Sequence, residues 1–383
     1  MRHHNSLLHQ LLQFVPWSTF DQLVERYEAD ARVRRLTTKS QFVALLHGQL
    51  SGAHSLREIE ATLTSQATRL YHVGAKAPAR STLADANARR PAEVFCDLFG
   101  ALLCQAGRGL RRHACEAVHL LDATHLPLQA LAQAWAPGKS GQAAAAKLHV
   151  DLDGTAGLPV HFEVTPARIN DITVAKALIL RPGETYVFDL GYYDFGWWRE
   201  LHDAGCRFVT RLKRHTRPTI VETRPVADGG PIVADRIVRL DGRLKSNRIN
   251  PLAGLELREI EVVIATGTRL RIISNDLAAS AETIAALYKA RWHIELFFRW
   301  VKQNLKIRHF LGTSGNAVRA QIAVALIAYL LLRMAHAAQT AVPSILTFTR
   351  LVRANLMHRR ALDRLKAPPH PRPQNPNQWE LDI

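Results

Sequence analysis

Residues 288–302 read YKARWHIELFFRWVK. At 100° per residue, Tyr288, Arg291, Glu295 and Lys302 share one helix face about 60° wide and about 21 Å long, with Arg299 beside them. Leu287, Ile294, Phe297, Phe298, Val301 and Leu305 fall on another side and would face a core. The helix is therefore expected to pack inward on an apolar stripe and to present one carboxylate among cations. Such a strip suits ordinary salt bridges on a solvated helix. It also suits a phosphodiester, whose oxygens the cations grip while the carboxylate holds a metal ion beside the scissile bond.

Working upstream, two acids are candidate partners for Glu295. Val118-His119-Leu120-Leu121-Asp122 and Tyr186-Val187-Phe188-Asp189 are short apolar runs that end in Asp. Read as strands, they would set both carboxylates at one end of a sheet, although Asp at a strand end is also common turn chemistry. Residues 147–152 and 158–165 read as a hairpin turning through Asp153-Gly154 and Gly157. Helical patterns over 171–180 and 195–204 and a strand over 206–211 complete an α/β layer arrangement. From 213 to 277 strand patterns dominate, with turns at Asp228-Gly229-Gly230, Asp241-Gly242 and Thr266-Gly267, which reads as a β-rich insertion.

The first 112 residues read as helices. Leu7, Leu8, Leu11 and Leu12 repeat at helical spacing, and Ser55-Leu56-Arg57-Glu58 has the pattern of a capping box. Basic residues between these helices (Arg32, Arg34, Arg35, Lys39) fit either a helix-turn-helix reader of DNA or a plain bundle with a basic face. The expected divisions are an all-α N-terminal domain over 1–112, the first part of the core over 113–212, the insertion over 213–277, and the second part of the core over 278–340. A C-terminal helix and Pro-rich tail then occupy 341–383.

The 50 Lys+Arg against 33 Asp+Glu leave a net charge of +17, which predicts attraction to polyanions. Residues 207–248 concentrate that excess and, beyond a simple solvated face, fit a surface that tracks DNA. The longest apolar run, Ile322 to Leu332, is shorter than the roughly 20 residues a membrane-spanning helix needs. The four cysteines form no C-x-x-C pair, which disfavours structural zinc and fits a reducing cytosol.

Tyr288-x2-Arg291-x3-Glu295-x6-Lys302 is similar to the Y-R-E-K signature of insertion-sequence transposases of the DDE type, the IS-four family. Leu121-Asp122-Ala123-Thr124 resembles the family's first-Asp motif and Phe188-Asp189-Leu190-Gly191-Tyr192-Tyr193 its second. Ala123 departs from a position where a small hydroxyl residue is common. Phe208 to Lys213, Ser274 to Leu277 and Gly312 to Ile322 resemble later blocks, so the resemblance covers nearly the whole chain.

It implies an α/β fold with an RNase H-like catalytic core, interrupted by the β-rich insertion and preceded by the all-α domain. Asp122, Asp189 and Glu295 would be catalytic and would hold two Mg²⁺ ions, for which Mn²⁺ can substitute. Tyr288, Arg291 and Lys302 would bind DNA at the cleaved end, with Arg299, Arg211 and Lys213 as further DNA contacts. The partners implied are the element's inverted repeats and target DNA as double strands, and a second copy of the chain as a homodimer, with no membrane. Cleavage would pass through hairpin ends before joining, in a prokaryotic cytoplasm at the nucleoid. A metal-dependent nuclease without strand transfer and a catalytically silent DNA-binding regulator remain alternatives. Trp197, Trp198 and Trp292 are candidates for base stacking, with core packing the preferred reading of each. His149, after Lys147, and Asp171 sit where the family has recurrent polar residues and could support the site, although a His on a strand is more often a satisfied core or edge residue.

Overall fold

The computed structural model describes residues 5–110, 117–138, 142–243, 248–305, 307 and 309–366. Cys115, Lys245 and the Pro-rich tail from 367 lie outside the described residues. Seven helices come first: α1 (Leu7–Leu12), α2 (Trp17–Arg26), α3 (Thr38–Ser51), α4 (Leu56–Ser65), α5 (Ala67–Leu70), α6 (Arg80–Arg89) and α7 (Glu93–Leu110). The capping box forms at α4. Ser55 accepts from the Glu58 amide at 3.1 Å, and the Glu58 carboxylate accepts from the His54 amide at 2.7 Å.

A mixed region follows, with β1 (Val118–Pro127), β2 (Ala145–Asp153), β3 (Leu158–Pro166), α8 (Asp171–Ala175), β4 (Thr185–Phe188), α9 (Phe195–Asp203) and β5 (Arg207–Arg211). Four more strands are β6 (Thr219–Arg224), β7 (Ile232–Arg239), β8 (Glu256–Val263) and β9 (Arg269–Ser274). The chain then returns to helix in α10 (Ala281–Ala290), α11 (Trp292–Asn304), α12 (Gly315–Ala337) and α13 (Ile345–Asn355).

All nine strands join one sheet in the order β3-β2-β1-β4-β5-β9-β8-β7-β6. β4 is parallel to both β1 and β5, and every other pairing is antiparallel. The β-rich segment is therefore a continuation of the central sheet, attached where Val209 pairs with Ser274. Strand alternation divides the central sheet between two cores. Leu120, Val187, Val209 and Ile272 pack on one face with α10 and α11 residues such as Ile284 and Val301. Leu121, Phe188, Phe208 and Ile273 pack on the other face with Trp197 and Trp198 of α9.

The N-terminal helices share the first of these cores through α12, which packs against α7, α3 and α6. α12 is long and apolar enough to cross a membrane by length and composition, yet 83% of its apolar window is buried inside the protein. A helix apolar on all sides is what the centre of a helical layer requires. α3 is also buried along almost its whole length. It therefore presents no free face to a DNA groove. The exposed Arg32, Arg34 and Arg35 lie in the segment just before α3.

Beneath the first strand pair, His119 is clasped between two acids. Its Nδ1 lies 2.8 Å from Asp151, and its Nε2 lies 3.0 Å from Glu184, off the line of a good hydrogen bond and so a charge contact. Tyr186 stacks on the ring at 4.8 Å. Burial disfavours the imidazolium, but the Asp151 hydrogen bond and the charges of Asp151 and Glu184 outweigh it, leaving the pKa above its ordinary 6.5. A raised folded-state value means that this clasp stabilises the fold fully below about pH 6.5 and is lost as pH climbs through the folded value. His119→Gln is accordingly expected to remove part of the fall in melting temperature between pH 6 and pH 9. An unchanged slope would show that His119 does not titrate with folding.

Candidate active site

The structure places Asp122 within β1, not at its end as the sequence suggests. β1 runs on to Pro127 because β2 pairs with it antiparallel along that whole length. On its other edge β1 pairs with β4 only as far as Leu121↔Phe188. Asp122 is thus the first β1 residue beyond the end of β4, and Asp189 is the first residue after β4. The parallel register sets these two acids at the same level of the sheet. Asp189 Oδ1 accepts a hydrogen bond from the Gly191 amide at 2.7 Å, which fixes its side chain over the turn. A Cβ on Gly191 would stand 3.0 Å from Asp189 Oδ1 and 3.4 Å from Asp171 Oδ2, so only glycine leaves the carboxylate undisturbed.

Glu295 arrives from α11, which packs on β1. The helix expected to run unbroken through 288–302 is divided at Arg291, which ends α10 and begins α11. The backbone tightens there, with Arg291 N–H donating to Tyr288 C=O at 3.2 Å and Ile294 N–H donating to Arg291 C=O at 3.1 Å. Tyr288 is buried, 8% exposed, and stands behind the Arg291 guanidinium instead of lining an open strip. Burial raises its phenol pKa, against the pull of the Arg291 and Arg211 charges. Arg291 Nη2 donates to Glu295 Oε1 at 2.7 Å, and its Nη1 lies 4.0 Å from Asp122 Oδ2. Lys302 donates to the Thr124 hydroxyl, two residues beyond Asp122 on the same face of β1.

The three carboxylates act on one another electrically. Burial pushes Asp122 up to about 7; the Ala123 amide and Arg291 oppose this, and the Asp189 and Glu295 charges add to it. Three carboxylates are the hard-oxygen donors that Mg²⁺ takes. Among the described residues, however, no three acid, histidine or cysteine side chains stand together closely enough to hold an ion as arranged. Between Asp122 and Glu295 the positive charge present is that of Arg291.

Asp171, which a Cβ on Gly191 would approach to 3.4 Å, joins a further group of polar side chains. Buried Lys147 pairs with Asp171 at 2.7 Å and donates to the Ile169 carbonyl at 2.9 Å. His149 reaches Thr165 at 2.9 Å, and burial lowers its pKa to about 4. The sequence singles out His149 and Asp171 without a geometry; their neighbourhood depends on the β2–β3 register and the short α8. Thr124 and the Gly191 amide were not singled out as site groups, because a hydroxyl and a backbone N–H carry no spacing signature of their own.

The cations fall into two groups. Arg299 is exposed on α11. Arg211 lines a groove of about 640 Å³ on the β5–β9 part of the sheet, with Arg214, Arg217, Arg236, Arg269 and Arg271. Glu259 and Glu261 neutralise part of that charge, at 2.5 Å from Arg271 and 3.2 Å from Arg269 respectively. Lys213 lies over the Tyr193 ring at 4.1 Å. Trp197 and Trp198 are buried in the aromatic core, as preferred for them, whereas Trp292 is 54% exposed. Core packing is therefore not the role of Trp292, which stands beside Arg291 with the guanidinium 5.9 Å from its ring.

Comparison with known proteins follows the same outline. Residues 113–331 match a family model described as "Transposase DDE domain", and residues 3–76 match "Domain of unknown function (DUF4372)". The chain is 40% identical over 304 residues to "Putative transposase y4zB" of Sinorhizobium fredii, covering 78% of this chain and 83% of that protein. It is 28% identical to "Probable transposase for insertion sequence element IS5377" of Geobacillus stearothermophilus, covering 63% of each. It is 22% identical to "Transposase for insertion sequence element IS231B" of Bacillus thuringiensis, covering 61% of this chain and 60% of the other. A piggyBac transposase structure, solved as a synaptic complex with hairpin DNA, aligns with a TM-score of 0.48 at 10% identity over 92% of this chain and 80% of that one.

Proposed function

Because the chain belongs to the DDE-domain transposases, we propose that it binds the terminal inverted repeats of an insertion sequence, cuts them and joins them to target DNA through one centre formed by Asp122, Asp189 and Glu295. What carries this reading is that the β1–β4 register brings Asp122 and Asp189 to one level of the sheet, while Asp189 and, from α11, Glu295 are near enough for their charges to oppose the ionisation of Asp122. The strand order β3-β2-β1-β4-β5, with only β1, β4 and β5 parallel, is what we read as the RNase H-like core.

Asp122, Asp189 and Glu295 would hold the two Mg²⁺ ions. When bound, such ions supply Lewis-acid polarisation of the phosphate and stabilisation of the attacking and leaving oxygens. The protein's own groups do the positioning. The Gly191 amide aims Asp189, and Lys302, seated on Thr124, brings a cation to the phosphate beside the acids. Tyr288 backs Arg291 and holds its guanidinium toward the same place. Exposed Trp292 offers a stacking surface to a base displaced at a strained hairpin end, where unstacking costs least. The arginine groove containing Arg211, with Lys213 and Arg299 nearby in the sequence blocks of the site, tracks the duplex by phosphate contacts. Two ends must be handled together, so the working unit is a homodimer on DNA at the nucleoid.

Incubation of the full chain with labelled element ends and Mg²⁺ tests this reading by its products. Cut and joined ends, with hairpin intermediates, are expected. Cutting without joining would make the protein a nuclease, and retention of the ends without cutting would make it a silent binder.

A further inference from the structure

We infer that Arg291 is a resident cation that keeps Asp122 and Glu295 closed to metal until DNA draws it away. This rests on the proposed metal-binding role of the acids and adds an order of loading to it.

The observations converge on one side chain. Arg291 sits at the break between α10 and α11, in right-handed helical conformation with a tight i, i+3 hydrogen bond on either side. Its side chain is 11% exposed and bonds Glu295 at 2.7 Å while standing 4.0 Å from Asp122. Those are the oxygens a divalent ion would need. A guanidinium donating to a carboxylate oxygen occupies its lone pair, and its charge repels an arriving cation.

The contact is also incompletely satisfied. Arg291 Nε is buried and has no hydrogen-bond partner among the described residues. An ion pair built only for stability would be expected to use that donor, since a buried unpaired donor is costly. A phosphate oxygen would satisfy it, because the planar guanidinium fork binds phosphate through two parallel hydrogen bonds. DNA and metal would then load together: phosphate draws the guanidinium off the carboxylates, and the carboxylates become free for the ion. By linkage, each would strengthen the binding of the other. The protein away from DNA would hold its metals poorly and would be protected from cutting at random.

The test uses the full chain without DNA and reads bound Mn²⁺ by the loss of the free-ion electron paramagnetic resonance signal. Arg291→Gln is expected to bind Mn²⁺ at least tenfold more tightly than the wild type. Arg291→Met, which keeps the alkyl stem and removes the charge, is expected to do the same and guards against a folding defect in the first variant. Equal or weaker Mn²⁺ binding by a folded neutral variant would overturn the inference. Asp122→Asn separates this outcome from failure of the metal site itself. If it weakens Mn²⁺ binding while the Arg291 variants leave binding unchanged, the acids bind metal and the resident-cation role alone is lost. If wild type, Asp122→Asn and the Arg291 variants all bind Mn²⁺ alike, the metal site is lost and this inference with it.

Discussion

Asp122→Asn, Asp189→Asn and Glu295→Gln are each expected to slow cleavage of an element-end duplex in Mg²⁺ by about 10³-fold or more, since a bound metal supplies several kcal/mol of transition-state stabilisation and each 1.36 kcal/mol is tenfold. Retention of the same duplex should change little, because phosphate contacts come from the cations and not from the acids. Each substitution is nearly isosteric and removes a charge from a crowded site. Burial, with the Asp189 and Glu295 charges, already opposes the ionisation of Asp122, so its loss should not destabilise the fold, and intact duplex binding checks this. A variant that cuts at the wild-type rate excludes its residue from the centre.

The second large effect is on stability, and it concerns what holds the site's helix in place. Arg258 and Asp235 form a two-bond ion pair at 2.9 and 2.6 Å, with both residues buried. Arg258 also donates to the carbonyls of Leu277 and Ala279, in the loop that leads into α10. Asp235→Ala leaves a buried guanidinium without its counter-charge, and the expected cost is about 3–5 kcal/mol. Replacing both residues together, as Asp235→Leu with Arg258→Met, should recover much of that, because an apolar pair avoids the unpaired charge. Recovery stays incomplete, since the two loop carbonyls still lose a donor. Denaturant unfolding of the three variants checks the order. If the double substitution is no better than Asp235→Ala, the loop carbonyls and not the ion pair carry the stability.

The residues of the proposed centre are legible in the sequence, and the geometry that relates them is not. Asp122 reads as the end of a strand because the apolar run stops there. In the structure the strand continues, since β2 supplies a partner through Pro127. What ends at that level is β4, and no local pattern in β1 reports the length of a strand about sixty residues later. The break at Arg291 is likewise silent in the sequence, since Ala290-Arg291-Trp292 contains neither Gly nor Pro. Tight i, i+3 hydrogen bonds mark the break, and Arg291 is tied there to Glu295 and set close to Asp122. Tyr288, which the straight-helix reading sets on the polar strip, is buried, and Trp292, read as a core residue, is exposed. The helical character of the first 110 residues was plain from periodicity, but the burial of α3 depends on α12 arriving from the other end of the chain.

The most direct measurement is strand joining by the protein on ends that no longer need cutting. Terminal duplexes with free 3′-hydroxyls are incubated with supercoiled plasmid, Mg²⁺ and either the full wild-type chain or Glu295→Gln at equal DNA occupancy. Covalently joined plasmid from the wild type and none from Glu295→Gln is the expected result. Joining by Glu295→Gln at the wild-type yield, or no joining by a wild-type protein that demonstrably holds the ends, would contradict the assignment of Asp122, Asp189 and Glu295 as one strand-transfer centre.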